Sequence, residues 1–414
     1  MLKGVWDWIN KNIGVQAPEN QNYLNDIDAD AIASIDPEAA SILTSARTTV
    51  NLILLRREKL DSEGLQDTPL VIVGGETHDQ AAHAIHHLLV LKALENTGEK
   101  TILSMERRKA LVHASLYGPD KLSTNDSIKE HYKKNDPDGK IGAKKSFASA
   151  DTRFAPYSKK ILHRYIAEND EISVNYADAT YAISPIETEN GDTLWEESFT
   201  LDRNDKTTQD SITRCLEQSD QNIAPDDEIA LSDGSAFSVW VRNNHMADAI
   251  IDDAQERNAR YAFHIGGNTH VIGCYRIFDI RKDHAPEHSL SHQLKNRDVA
   301  VIAIPLTHGG LESILPLSNG LEHGSEFYVA RNVAEHKCNY DDFPSIEQVF
   351  SSEEQEWVDE KLRNLGIEDL IVSDWKSDVN RYRADINEYI DTIKHDYESE
   401  TLAAQPALSE GLEI

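Results

Sequence analysis

Two stretches of this 414-residue chain end an apolar run in the same way. Leu70–Gly75 delivers Glu76, Thr77 and His78, and Tyr261–Gly267 delivers Asn268, Thr269 and His270, so both read Gly-x-x-His. A neutral histidine near pH 7 can take a proton from water. A carboxylate can hold that histidine's tautomer, and an arginine with a second histidine can stabilise a developing oxyanion. Glu76 stands beside the first histidine, Glu106 ends the apolar run from Thr101, and Arg242 lies in a long amphipathic stretch. The set suits a hydrolytic site without a protein nucleophile. His78, Glu106 and His270 equally have the donor types for a divalent ion, such as Mn, Co or Zn, that activates the water itself. A serine triad is disfavoured, because Asp233-Gly234-Ser235-Ala236 lacks the second glycine of a nucleophile elbow.

Other residues carry weaker signals. His83 and His87 are spaced i, i+4 with His86 between them, which would allow metal or haem ligation, although H-E-x-x-H is absent and structural or solvated histidines are the simpler reading. His264 reads as a core residue, His308 as a further wall, and Tyr176 and Asp178 as lesser candidates at another strand end. Asp136-Pro137-Asp138-Gly139 resembles the opening of a calcium loop, but the closing position holds Phe147 instead of glutamate.

The elements that must position these groups follow from periodicity. The β-branched run Val71–Val73 suits a strand covered on both faces, and Gly74-Gly75 suit a tight exit from it. A helix is predicted from His78 to Glu95, with Ala82, Ile85, Leu89 and Leu94 inward, then a strand at 101–105, which together make a right-handed βαβ unit. Further strands are predicted at 172–177, from Tyr261 into the glycine pair 266–267, and at 299–305 and a long helix at 235–259, with 184–205 as loop and short strand. Parallel strands would bring Glu76, His78 and Glu106 to one sheet edge. The fold class is α/β, with a mostly parallel or mixed sheet flanked by helices. It divides into an N-terminal helical layer at 1–65, an α/β domain at 66–335 with a basic insertion at 117–160, and a C-terminal helical segment at 336–414. Pro37 is a candidate break in the first layer.

Composition bounds the partners. Forty-one Lys and Arg against 72 Asp and Glu leave a net charge of −31, which argues against nucleic acid and anionic membranes as general partners and reads as an acidic solvated surface, while the hydrolytic set leads to the expectation of a small-molecule or peptide substrate. Cys215, Cys274 and Cys338 are widely spaced, with neither a disulfide framework nor a thiolate zinc motif. No run approaches the roughly 20 apolar residues of a membrane span. Met1–Ile13 reads as an amphipathic docking helix without a signal cleavage site, so a cytoplasmic location is expected. The basic insertion, with ten Lys and Arg against six carboxylates over 118–160, reads as a solvated loop or an anion-handling lid. Nothing sets the oligomeric state.

The ordered set Gly75-x-x-His78, Ser104-Met105-Glu106, Arg242-Asn243-Asn244-His245-Met246-Ala247 and Gly267-Asn268-Thr269-His270 resembles the superfamily that groups erythromycin esterases, Tiki proteases, the pheromone-shutdown protein TraB and haem-binding ChaN lipoproteins. The resemblance spans roughly 65–305. It implies that Glu76, His78, Glu106, Arg242 and His270 line a site. It also implies either an ester- or peptide-bond hydrolase or, on the ChaN side, a haem or metal carrier without turnover. The basic insertion and both terminal layers fall outside it.

Overall fold

The computed structural model describes residues 23–76, 81–108, 124–130, 161–187, 193–219, 223–232, 235–272, 286–306, 326–327 and 352–370, apart from 128, 163 and 167. The expected helix at Met1–Ile13, residues 371–414 of the C-terminal segment, the Asp136–Gly139 turn, His78 and His308 lie outside the described residues, as does most of the basic insertion.

Two helices open the described chain, α1 (Ala29–Ile35) and α2 (Pro37–Ser62), and they meet at Pro37, which occupies the first turn of α2 behind its N-cap Asp36. Strand β1 (Leu70–Glu76), helix α3 (Ala81–Glu95), β2 (Thr101–Arg108) and β3 (Ser173–Asp178) follow. Then come a hairpin of β4 (Tyr181–Glu187) and β5 (Thr193–Leu201), α4 (Lys206–Gln218), the short α5 (Glu228–Leu231) and the long α6 (Ala236–Glu256). The chain continues through β6 (Tyr261–Gly267), α7 (Asn268–Ile272), α8 (Leu290–Lys295), β7 (Ala300–Pro305), β8 (Glu326–Phe327) and α9 (Ser352–Asn364). The expected α/β architecture is present: six strands in the order β3-β2-β6-β1-β7-β8, every pairing parallel, with helices on both faces. The separate β4–β5 pair is antiparallel.

Three local readings change. The β1-α3-β2 unit is parallel, but β6 lies between its two strands, so each Gly-x-x-His strand is the other's neighbour, with Gly75 opposite Gly266 and Glu76 opposite Gly267. Instead of loop and one short strand, 184–187 and 193–201 belong to two paired antiparallel strands, which Tyr181 and Leu201 anchor in a satellite core with Ile212, Phe237, Trp240 and Val241. The histidine of the second turn sits on the short α7 instead of in a loop.

Side-chain alternation divides the sheet into two faces. Leu70 and Ile72 of β1, Phe263 and Ile265 of β6, and Ile302 and Ile304 of β7 join the large cluster shared with α2 and α3. Val71 and Val73, Ile102, Ala262, Val301 and Ala303 pack instead with Met246, Ala247 and Ile250 of α6. Helix α3 is a middle layer between the sheet and α2, which is why nearly every residue along it is buried and not only the predicted inward stripe. His83, His86 and His87 are therefore wholly buried, which removes the solvated reading. Leu362, Leu365, Ile367 and Leu370, in and just beyond α9, belong to the same large cluster, and Lys361 donates to both oxygens of Asp36 at 2.9 and 2.8 Å.

Gly74 and Gly75 serve close packing within β1, not the exit turn. A Cβ on Gly74 would lie 2.8 Å from His87 Cε1 and 3.0 Å from Phe263 Cε2, and one on Gly75 would meet Asn268 Oδ1 and the Pro305 Cα. Gly74→Ala should therefore destabilise the protein by about 1–3 kcal/mol as an overpacking change. Urea unfolding would read this as a lower midpoint, and an unchanged midpoint would mean that α3 does not approach β1 this closely.

Candidate active site

The C-terminal ends of β2, β3 and β6 converge with α6 and α7 around Glu106. Its carboxylate accepts at 2.7 Å from Arg242 Nη2 through Oε1 and at 2.6 Å from the Gly267 backbone N–H through Oε2. His270 Nε2 lies 3.1 Å from the same Oε1. Arg242 is further clamped by Asp178, with Nε donating to Oδ1 at 2.9 Å and Nη2 to Oδ2 at 2.7 Å. The side chains are 3–9% exposed, so water scarcely screens them. Arg242 is thus no surface cation. Burial by itself would lower its pKa, but Asp178, Tyr181 and Glu106 outweigh that and hold it well above the ordinary arginine value.

Local structure explains why the groups meet. Ser104 and Glu106 alternate with Leu103 and Met105 and so face α6, where Arg242 and Asn243 project one turn above the apolar contacts of Met246 and Ala247. His270 is reached because β6 lies directly beside β2 and α7 turns back over the strand end. Its Nδ1 is 2.7 Å from Asn243 Oδ1, and Asn243 Nδ2 donates to the His288 carbonyl at 2.7 Å. The His288 ring stacks on Trp240 at 4.0 Å and 8°. Beneath the cluster, His264 Nδ1 and Ser104 Oγ are 3.0 Å apart across the β2–β6 register. Gly266 leaves room between them, since a Cβ there would lie 3.0 Å from His264 Nε2 and 3.1 Å from Glu106 Oε2.

Of the five predicted residues, Glu106, Arg242 and His270 come together, and His78 lies outside the described residues. Glu76 follows the alternation of Leu70, Ile72 and Gly74 toward α3, so it points to the opposite side of the sheet from Glu106 and acts electrostatically on His87. Asp178, a lesser candidate in the sequence, is a principal partner. Asn243 and Ser104 were missed, because an asparagine on a helix and a serine in a strand carry no signal until their neighbours are known.

Among the described residues no group of three or more His, Cys, Asp or Glu is arranged to hold a metal ion. Within the predicted set, Glu106 and His270 face each other, Arg242 and a backbone N–H instead of presenting lone pairs to a common point. His83, His86 and His87 are enclosed on all sides, so a porphyrin could reach them only if α3 left the sheet. Among the described residues no helix is long and apolar enough to cross a membrane.

No protein-family model matches the chain, and no curated protein matches it. Two solved structures align to it. One is the type III effector HopBA1, at 12% identity and a TM-score of 0.28, covering 65% of this chain and 85% of that one. The other is ChaN of Campylobacter jejuni, described with cofacial haem binding, at 11% identity and a TM-score of 0.28, covering 62% and 87%. Likenesses this weak assign neither family nor activity.

Three histidines of this region are held neutral. Burial pushes His87 down to about 4 against a partial offset from Glu76, and His264 to about 4 against Glu106 and Asp178, with His270 adding to the lowering. Burial and then His87 lower His86 further. Below the unfolded value of about 6.5 the unfolded chain binds protons that the folded chain refuses, so stability is complete above that pH and is lost toward about 4. Each histidine contributes a slope of about 1.4 kcal/mol per pH unit in that window. His87→Leu should therefore flatten the acid limb of a urea-midpoint profile by about one proton, and an unchanged slope would contradict a neutral buried His87.

Proposed function

We propose that the protein is a hydrolase of ester or peptide bonds, with Arg242 and His270, held by Glu106, supplying positive charge to a developing oxyanion and His78 taking the proton from water. The observation that carries this reading is the convergence of Arg242 Nη2 and His270 Nε2 on one oxygen of Glu106 at the C-terminal edge of a parallel sheet. Ligands bind open α/β sheets at that edge. As a device for stability the network is a poor choice, since desolvation costs several kcal/mol per ion and apolar replacement is often neutral or stabilising. As pre-placed charge it has a use, because fixed dipoles and cations in a dry site need no reorganisation as an oxyanion forms. Glu106 itself is committed as an acceptor and leaves the role of base to another group. Glu76, directed toward α3, stands outside this step.

The test is turnover of p-nitrophenyl esters and fluorogenic peptides by the full chain. Arg242→Lys keeps the charge but cannot span Asp178 and Glu106 with one planar fork, so kcat should fall by about a hundredfold. His78→Ala should cost about a hundredfold or more. Prolonged chelation should leave the rate unchanged, whereas loss of activity restored by Mn²⁺, Co²⁺ or Zn²⁺ would assign the water to a metal. Turnover of neither substrate class, or an Arg242→Lys variant with normal kcat and KM, would overturn the reading.

A further inference from the structure

We infer that Asn243 is a positioning residue that sets the ring orientation of His270. It follows Arg242 directly on α6, is 1% exposed, and bridges two elements that are distant in sequence. The carbonyl of His288 can only accept, so the amide end 2.7 Å from it is Nδ2, and the oxygen is the end that faces His270 Nδ1 at 2.7 Å. Nδ1 therefore carries a hydrogen and donates it. This leaves Nε2 as the nitrogen aimed at Glu106 Oε1, 3.1 Å away, with a proton between them because that oxygen is already an acceptor for Arg242. The His288 carbonyl is itself anchored, since its ring lies flat on Trp240 and Ser289 caps the next helix by accepting from the His292 N–H at 3.2 Å.

One turn of α6 thus reaches Glu106 twice, directly through Arg242 and indirectly through Asn243 and His270. Successive helix residues are about 100° apart. A single helix can therefore approach the carboxylate from two directions, which fixes donors on both. Without the Asn243 acceptor the imidazole loses what distinguishes its two nitrogens, and either can turn toward Glu106. The catalytic meaning of this role rests on the hydrolase reading, but the ring geometry does not.

The experiment is long-range ¹H–¹⁵N NMR of the histidine-labelled full chain, with His270 assigned from a His270→Gln variant. In the wild type Nδ1 should be protonated. In Asn243→Leu, which keeps the branched outline and removes the acceptor together with the donor to His288, the Nδ1 signal should move toward the unprotonated position, and Asn243→Asp should restore it. On any substrate found, Asn243→Leu should lower kcat by about a hundredfold with KM nearly unchanged, and Asn243→Asp should recover part of the loss. An unprotonated Nδ1 in the wild type would overturn the inference without any variant, as would a wild-type His270 pattern in Asn243→Leu. Absence of hydrolysis with the expected NMR result would instead reject the hydrolase reading and leave the positioning role standing.

Discussion

The carboxylate of Glu106 is the interaction on which the site depends. Its oxygens take a guanidinium, an imidazole and a backbone N–H from three different elements. A buried carboxylate without partners would carry a desolvation penalty of several kcal/mol, so the position of each donor is constrained by the need to meet that charge. Arg242 could not be shared in this way without Asp178, which occupies the other side of its fork. Both carboxylates thus meet the one guanidinium, which is the condition under which their charge persists in a dry interior.

The sheet supplies the geometry. Because β6 is inserted between β1 and β2, α7 starts directly beside Glu106, and Gly267 donates its N–H from the end of that strand. Because side chains alternate, the two glutamates that look equivalent in the sequence are sent to opposite faces. Glu76 joins the buried histidines of α3, and Glu106 joins α6. Gly74 then serves the first face, where His87 sits against it, while on the second Gly75 lies against Asn268 and Gly266 makes room for His264 and Glu106.

The two faces differ in how they treat titratable groups. Toward α3, histidines are kept neutral by burial and are bound mainly by packing, with Thr49 Oγ1 3.2 Å from His86 Nε2 and the His87 ring edge-on to Phe263. Toward α6, His264 is likewise kept neutral by burial, but Arg242, Asp178 and Glu106 keep their charges because each meets an opposite charge within hydrogen-bond distance. For the histidines burial outweighs the nearby carboxylates, whereas for Arg242 the carboxylates outweigh burial.

The sequence alone determined the fold class, because runs such as Val71–Val73 and Val301–Ile304 are too apolar for anything but strands covered on both faces, and the intervening helical periodicity demands parallel crossovers. The resemblance put Glu106, Arg242 and His270 in one set with Glu76 and His78, and the first three of these are the ones that meet. Tertiary structure alone decided the strand order, and with it that Asp178 and Asn243 complete the cluster while Glu76 leaves it. The reason is physical: a strand buried on both faces loses the period-two pattern that would show which face each residue takes. A helix buried all round, as α3 is, likewise loses the stripe that would show its histidines to be enclosed.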